Sequence, residues 1–196
     1  MKKSTIIAVI LVLVVSTSGF AGMAIGANAG IGVSNFSGYD PSSYEPDDVS
    51  AALSYQIGVE FQFSLIPILG FKINGNYIRY AATAKNLSSE YDYDYRYFDI
   101  SVAANLTVMK FSIYAGAFIA FNLCHTINDK DYKDYATSPV AGILIGAAYN
   151  MGLGPIKLPI GIEFKYILGG MVDEEKASPT HKAWALHFKV GILFGI

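Results

Sequence analysis

The 196-residue chain holds a single cysteine, Cys124, and a single tryptophan, Trp184. One thiol closes no internal disulfide, so a disulfide scaffold is excluded, and Cys124 reads as a small side chain near a strand end. Charge is scarce as well. Asp, Glu, Lys and Arg make up 15% of the residues, with 14 bases against 16 acids. The basic footprint of a nucleic-acid binder is therefore missing. Long apolar runs are also lacking: beyond the N-terminus no segment reaches the ~18 uninterrupted apolar residues of a membrane helix. Yet 53% of the chain is hydrophobic, 14 Tyr and 12 Phe are present, and disorder is excluded. A chain this apolar with so few charges either hides an unusually large core or meets lipid through strands.

The N-terminus reads as a leader. Lys2 and Lys3 precede ten consecutive apolar residues, Ile6 to Val15, and then Ser16-Thr17-Ser18-Gly19-Phe20-Ala21. A basic start, a short apolar stretch and small residues at the −3 and −1 positions of a cut after Ala21 are the marks of a secretory signal peptide. The expected division is a signal peptide over 1–21 and one domain over 22–196.

The remainder of the chain alternates with a period of two, in eight separate runs. Between Ala51 and Leu65 every odd residue is apolar (Leu53, Tyr55, Ile57, Val59, Phe61, Phe63), while the even ones include Ser54, Gln56, Glu60 and Gln62. Successive strand side chains point to opposite faces, so one face is hydrocarbon and the other polar or small. Similar runs cover about Met23–Asn35, Phe71–Thr83, Tyr91–Val108, Phe111–Cys124, Val140–Met151, Ile156–Gly169 and Lys182–Ile196. The third loses phase near Ile78-Arg79-Tyr80, at a bulge or at the rim. Long polar connections (about Phe36–Ser50, Ala84–Glu90, His125–Pro139 and Val172–His181) alternate with tight ones at Ile66–Gly70, Met109-Lys110 and Gly152–Pro155. Eight antiparallel strands joined alternately by short and long connections describe the smallest up-and-down outer-membrane barrel.

Alternation alone does not say which face is inside; a soluble lipocalin-like barrel puts its apolar face inward. Charge separates the two. A water-facing surface is about 25–35% charged, whereas the polar face here carries few ionisable groups and is otherwise Gly, Ala, Ser, Asn and Gln. Small residues suit the narrow interior of an eight-stranded barrel, and charge, acidic in balance, gathers in the long connections. The fold expected is all-β: an eight-stranded transmembrane barrel with the apolar face on lipid.

The last eight residues, Lys189-Val190-Gly191-Ile192-Leu193-Phe194-Gly195-Ile196, resemble the C-terminal signal of outer-membrane barrels. Lys189, Gly191, Phe194 and Ile196 match its polar residue, Gly, aromatic and terminal hydrophobe, although Ile196 stands where an aromatic is usual. With the leader, the eight runs and the loop pattern, the chain resembles the small OmpX, OmpA-transmembrane and OmpW class of porin-family barrels. The resemblance implies an integral outer-membrane location with loops outside the cell and both mature termini in the periplasm. It also implies the surrounding lipid and the barrel assembly machinery as partners. A monomer is expected.

On the inner parity lie Glu60, Gln62, Lys72, Asn74, Asn76, Asp99, Glu163, Lys165, His187 and Lys189. Buried charges persist when paired, so these are expected to form a polar network filling the lumen; a gated ion path is the competing reading. A loop centred near Lys176 sets Glu163 opposite Lys189 and Lys165 opposite His187. A turn near Ile68 sets Glu60 against Asn76 and Gln62 against Asn74. Phe118, Leu144, Ile167 and Leu193 share the inner parity, as a plug or the lining of a narrow apolar route. His125 and His181 read as loop-rim residues, and no Ser/His/acid or metal-ligand spacing is present, so no catalytic residue, metal or cofactor is expected. Acidic Asp40–Asp48 and Asp173-Glu174-Glu175 read as solvated loop charge. Tyr80, Tyr97, Phe98, Tyr166 and Trp184 fall near the membrane boundaries. Tyr91, Tyr93 and Tyr95 form a tyrosine ladder expected to project beyond the bilayer, either as a rigid extension or as an edge for an external protein ligand by strand addition. Two functions are compatible with this pattern: a structural or surface-interaction role, or a narrow porin-like channel. A lipid-modifying enzyme is a remote third.

Overall fold

A computed structural model describes residues 22–37, 48–86, 89–171 and 181–196. The leader over 1–21 and the two acidic loop segments (apart from Asp48) lie outside them. The strands are β1 (Gly22–Ser37), β2 (Asp48–Ile66), β3 (Leu69–Asn86), β4 (Ser89–Val108), β5 (Phe111–Ile127), β6 (Lys130–Asp131), β7 (Val140–Leu153), β8 (Ile156–Ile167) and β9 (Lys182–Gly195). Eight of them form the wall. Each long strand pairs antiparallel with its sequence neighbours, and β1 with β9 closes the ring. Two-residue β6 only folds back on the end of β5.

The faces are as the alternation predicts. Ile57, Ile145, Ile162 and Phe188 are each more than half exposed, while Gln56, Glu60, Asp99, Glu163, Lys165 and His187 are buried. Several of the largest fully buried side chains are charged, the inverse of a water-soluble core. No described helix is long and apolar enough to cross a membrane; the strands carry the apolar surface.

Two-residue turns close one end. Met109 takes φ 56° before Lys110, and Gly154, at φ 65° before Pro155, sits at the first central position of its turn, where Gly meets the positive φ without strain. At the other end the wall is uneven. Strands β2 to β5 run 19, 18, 20 and 17 residues, while β7, β8 and β9 run 14, 12 and 14. A tilted strand crosses a bilayer in about 9–11 residues, so the β2–β5 side stands well above the lipid. There the β5–β6 hairpin turns at Asn128 and Asp129, both at positive φ, and Thr137 N–H donates to the Met171 carbonyl at 2.9 Å.

Three expectations are corrected. Strand β3 keeps its phase, pairing with β4 without a shift from Leu69↔Leu106 to Asn86↔Ser89. The irregularity is in the β2–β3 register between Ala51 and Tyr55, and Ile78 and Tyr80 simply continue the inner face as apolar residues. Tyr80 and Tyr97 are accordingly inside, fully buried, whereas Tyr166 and Trp184 do pair on the outer face. Both assumed registers are off by two: Glu163 faces His187, Lys165 faces Ala185, Glu60 faces Asn74 and Gln62 faces Lys72. A shift of two leaves every residue on its face.

Candidate functional site

All ten inner-parity polar residues point into the lumen, and ion pairs join six of them into a network across it. Lys72 Nζ lies 3.0 Å from Glu60 Oε1, and Lys189 Nζ lies 3.3 Å from both Glu60 Oε2 and Glu163 Oε2. Lys165 Nζ stands 3.8 Å from Glu163 Oε1 and 2.6 Å from Asp99 Oδ2. Three ammonium groups thus meet three carboxylates, and the net charge of the network is zero. Neutral donors complete the acceptors: Asn76 Nδ2 donates to Asp99 (2.9 Å), Gln62 Nε2 to Glu60 (2.7 Å), Gln56 Nε2 to Glu163 (2.9 Å) and Tyr114 Oη to Glu163 (3.1 Å). Asn74 donates to Ser101 Oγ at 3.2 Å, beside the network rather than in it. Although the predicted strand pairing of Glu163 with Lys189 is wrong, their side chains still meet, because residues diagonal on one face are within reach of a lysine.

Several participants escaped the sequence reading. Tyr114 lies on the inner parity of β5 and also places its ring 3.9 Å from Lys72 Nζ; its even position was the available signal. Ser54 Oγ is 2.7 Å from His187 Nε2, a contact across 133 positions that no local spacing announces. Ser54 also donates to the Arg79 carbonyl, and both side chains of the Ser54–His187 pair are fully buried. This pair lies in the wall of the lumen, on either side of Gly32.

Above the ionic layer the lumen is aromatic. Tyr95 is fully buried, its Oη 2.9 Å from His181 Nε2 and its ring stacked on His125 at 3.9 Å and 12°. Phe36 packs on Tyr93, Tyr95 and His181, and Tyr80 meets Tyr97 edge-on. The tyrosine ladder is therefore corrected: Tyr95 is interior and Tyr93 half-buried, and only Tyr91 stands exposed. His125 and His181 are likewise buried plug residues, not rim residues. A bulge explains His125. In the β4–β5 ladder Tyr97 faces Asn122 but Arg96 faces Cys124, so Leu123 is extra, and such an insertion re-aims the side chains beyond it. Phe118, Leu144 and Ile167 join this cluster.

Below, at the tight-turn end, the lumen opens into a cavity of about 360 Å³ lined by Gln62, Asn105, Ser112, Asn150, Lys110 and Lys157. Between it and the plug, a void of about 10 Å³ adjoins Asn28, Glu60 and Lys189, room for about one water. Of the C-terminal residues, Lys189 is inside, Phe194 is on the lipid face, and Ile196 is exposed, its N–H donating to the Met23 carbonyl at 2.9 Å. Among the described residues no group of three or more His, Cys, Asp or Glu could hold a metal, and Cys124 is a free, half-buried thiol.

Residues 16–171 match the family model of the outer membrane protein beta-barrel domain. No curated protein matches the chain. Among solved structures, Neisserial surface protein A superposes with a TM-score of 0.53 at 17% identity, over 90% of this chain and 99% of that one. The outer membrane protein OprG of Pseudomonas aeruginosa gives 0.50 at 12%, over 90% and 97%. The outer membrane protein AlkL, determined in lipid bilayers, gives 0.52 at 13%, over 89% and 90%. At such identities the likeness is one of fold.

Proposed function

Because this chain belongs to the outer membrane β-barrel domain family, we propose that it works as a closed barrel of the outer membrane whose active part is the extension above the lipid, in a structural or surface-interaction role. The observation that carries the reading is the series of ion pairs from Lys72 to Asp99, which fills the lumen with balanced, buried charge beneath an aromatic plug. Opening a path through it would separate paired, buried charges, at a cost of several kcal/mol per ion.

In this reading the long-loop end faces outward and both mature termini face the periplasm. The assembly machinery reads the segment from Lys189 to Ile196, the protein is a monomer, and no catalysis is assigned to it. An external protein ligand meets the raised β2–β5 wall through its faces and loops. Strand addition at β5 is disfavoured, since β6 pairs with Thr126 and Ile127, Tyr132 N–H donates to the His125 carbonyl, and the Asn122 N–H donates to Ser138.

Conductance of the purified protein in planar bilayers tests the reading. A silent bilayer is the expected result. Solute-dependent opening would move the work from the extension to the lumen and favour the narrow porin-like channel.

A further inference from the structure

The outer face of β3 and β4 changes character within one step of the ladder. Ile73 faces Val102, Gly75 faces Ile100 and Tyr77 faces Phe98, all suited to lipid; the next outward pair is Arg79 facing Arg96, followed by Ala81 facing Asp94 and Thr83 facing Asp92. Like charges directly opposite each other on one face repel. Asp94 alone stands between them: Arg79 Nε lies 2.8 Å and Arg96 Nη2 3.2 Å from its Oδ2. Two guanidinium groups bring ten N–H donors, more than Asp94 and the Leu53 carbonyl, which accepts from Arg79 Nη1 at 3.0 Å, can satisfy, and the trio of Arg79, Arg96 and Asp94 keeps one net positive charge. Asp92, the next acid on this face, is engaged by Thr83 Oγ1 at 2.7 Å. The Arg96 side chain is 41% exposed.

The surroundings select the anion. Arg79 lies 6.0 Å above the Tyr55 ring, and Tyr55 stacks on Tyr77, tyrosines of the kind that mark the level of lipid headgroups. Phe98 and the apolar column below it offer a surface to acyl chains. Beside Arg79 a groove of about 360 Å³ is bounded by Thr83, Thr126 and Asn128 and by three carboxylates, Asp92, Asp94 and Asp129, which accept hydrogen bonds from hydroxyls and leave the guanidinium groups as the place for a phosphate. Arginine forks match phosphate oxygens. We propose that Arg79 and Arg96 dock the phosphate of a membrane lipid whose headgroup also carries hydroxyls, at the boundary between the apolar belt and the raised wall.

Native mass spectrometry of the detergent-solubilised, folded protein titrated with phosphatidylglycerol or phosphatidylcholine tests this. Phosphatidylglycerol is expected to bind more tightly. Arg96→Gln should weaken it about fivefold, the weight of one basic residue near an anionic headgroup. Asp94→Asn, which removes the competing carboxylate, should tighten it, an effect that a purely structural Arg–Asp cluster would not give. Lys157→Gln at the opposite end should change nothing. The proposal is overturned if the wild type does not prefer phosphatidylglycerol, or if Arg96→Gln and Asp94→Asn both leave its affinity unchanged. Its commitment to a lipid is overturned if inorganic phosphate displaces phosphatidylglycerol as readily as phosphatidylglycerol displaces itself.

Discussion

Replacing Lys165 by Met removes the shortest ion pair in the lumen, 2.6 Å to Asp99, between two side chains with no exposed surface. Methionine fills nearly the same space, so the change is one of charge rather than volume. Asp99 then keeps a single strong partner, Asn76 Nδ2 at 2.9 Å. Glu163 fares better: it loses a 3.8 Å neighbour but retains Lys189, Gln56 and Tyr114. Stripping one partner from a buried pair costs about 3–5 kcal/mol, and replacing both by apolar groups is often nearly neutral. Lys165→Met should therefore destabilise by roughly that amount, and adding Asp99→Leu should recover a large part of it. Lys189→Met should cost less, because Glu60 keeps Lys72 at 3.0 Å and Glu163 keeps Lys165. Reversible urea unfolding in lipid vesicles, followed through the single Trp184, reads all three. A single variant as stable as the wild type, or a double variant no better than the single, would refute the pairing.

The wall supports three further expected outcomes. Unboiled protein should run differently from boiled protein on a denaturing gel, since a closed ring of paired strands has no edge for detergent to open; identical mobility would contradict the closure between β1 and β9. Ile162→Arg, on the lipid face in mid-strand, should cost about 2–4 kcal/mol, and Ile156→Arg beside the turn about 0–1; equal costs in the same unfolding assay would mean that this face does not meet acyl chains. Gly161→Ser is no mild control for Ile162, because a Cβ on Gly161 would run into the Ala147 carbonyl oxygen and stand 2.7 Å from the Ala148 Cα. Backbone would have to move, so about 1–3 kcal/mol is expected there too.

The fold was legible because a strand's face depends only on parity. Every residue from Ala51 to Leu65 declares its side through its neighbours two away, and eight such runs with alternating connections leave one architecture. The inner network was legible for the same reason, residue by residue, and so were Phe118, Leu144, Ile167 and Leu193. What stayed hidden needs distance information. Ser54 meets His187 over Gly32, which both face on the strand between them, and Tyr114 meets Glu163 over Gly146 in the same way, pairs that no spacing along the chain announces. The tyrosine ladder misled for a different cause. Aromatic residues at a strand end look alike whether they anchor a membrane boundary or plug a barrel, yet Tyr95 shares the parity of Asp99 and Ser101 along an unbroken β3–β4 ladder and so falls inside.

Errors of register and errors of phase differ in consequence. Both assumed registers slipped by two, and the ionic layer survived intact, because a slip of two moves a residue along its own face and a lysine reaches its diagonal neighbour. One extra residue at Leu123 does more than either slip. Counting by twos from Phe111 sends His125 toward lipid, where an imidazole without partners would be costly; the bulge turns it inward onto Tyr95. The same insertion sets Arg96 opposite Cys124 while Tyr97 stays opposite Asn122. The bulge thus lies between the arginine that faces outward and the tyrosine that faces inward, at the level where the wall leaves the lipid. Deleting Leu123 would close the ladder into simple alternation with Cys124 opposite Arg96 and His125 still turned inward onto Tyr95, so the plug should survive the deletion. The shifts between Ala51 and Tyr55 and at Leu123 both lie toward the raised end of the wall, and regular alternation prevails below them as far as the shift between Ser64 and Ile66 beside the tight turn.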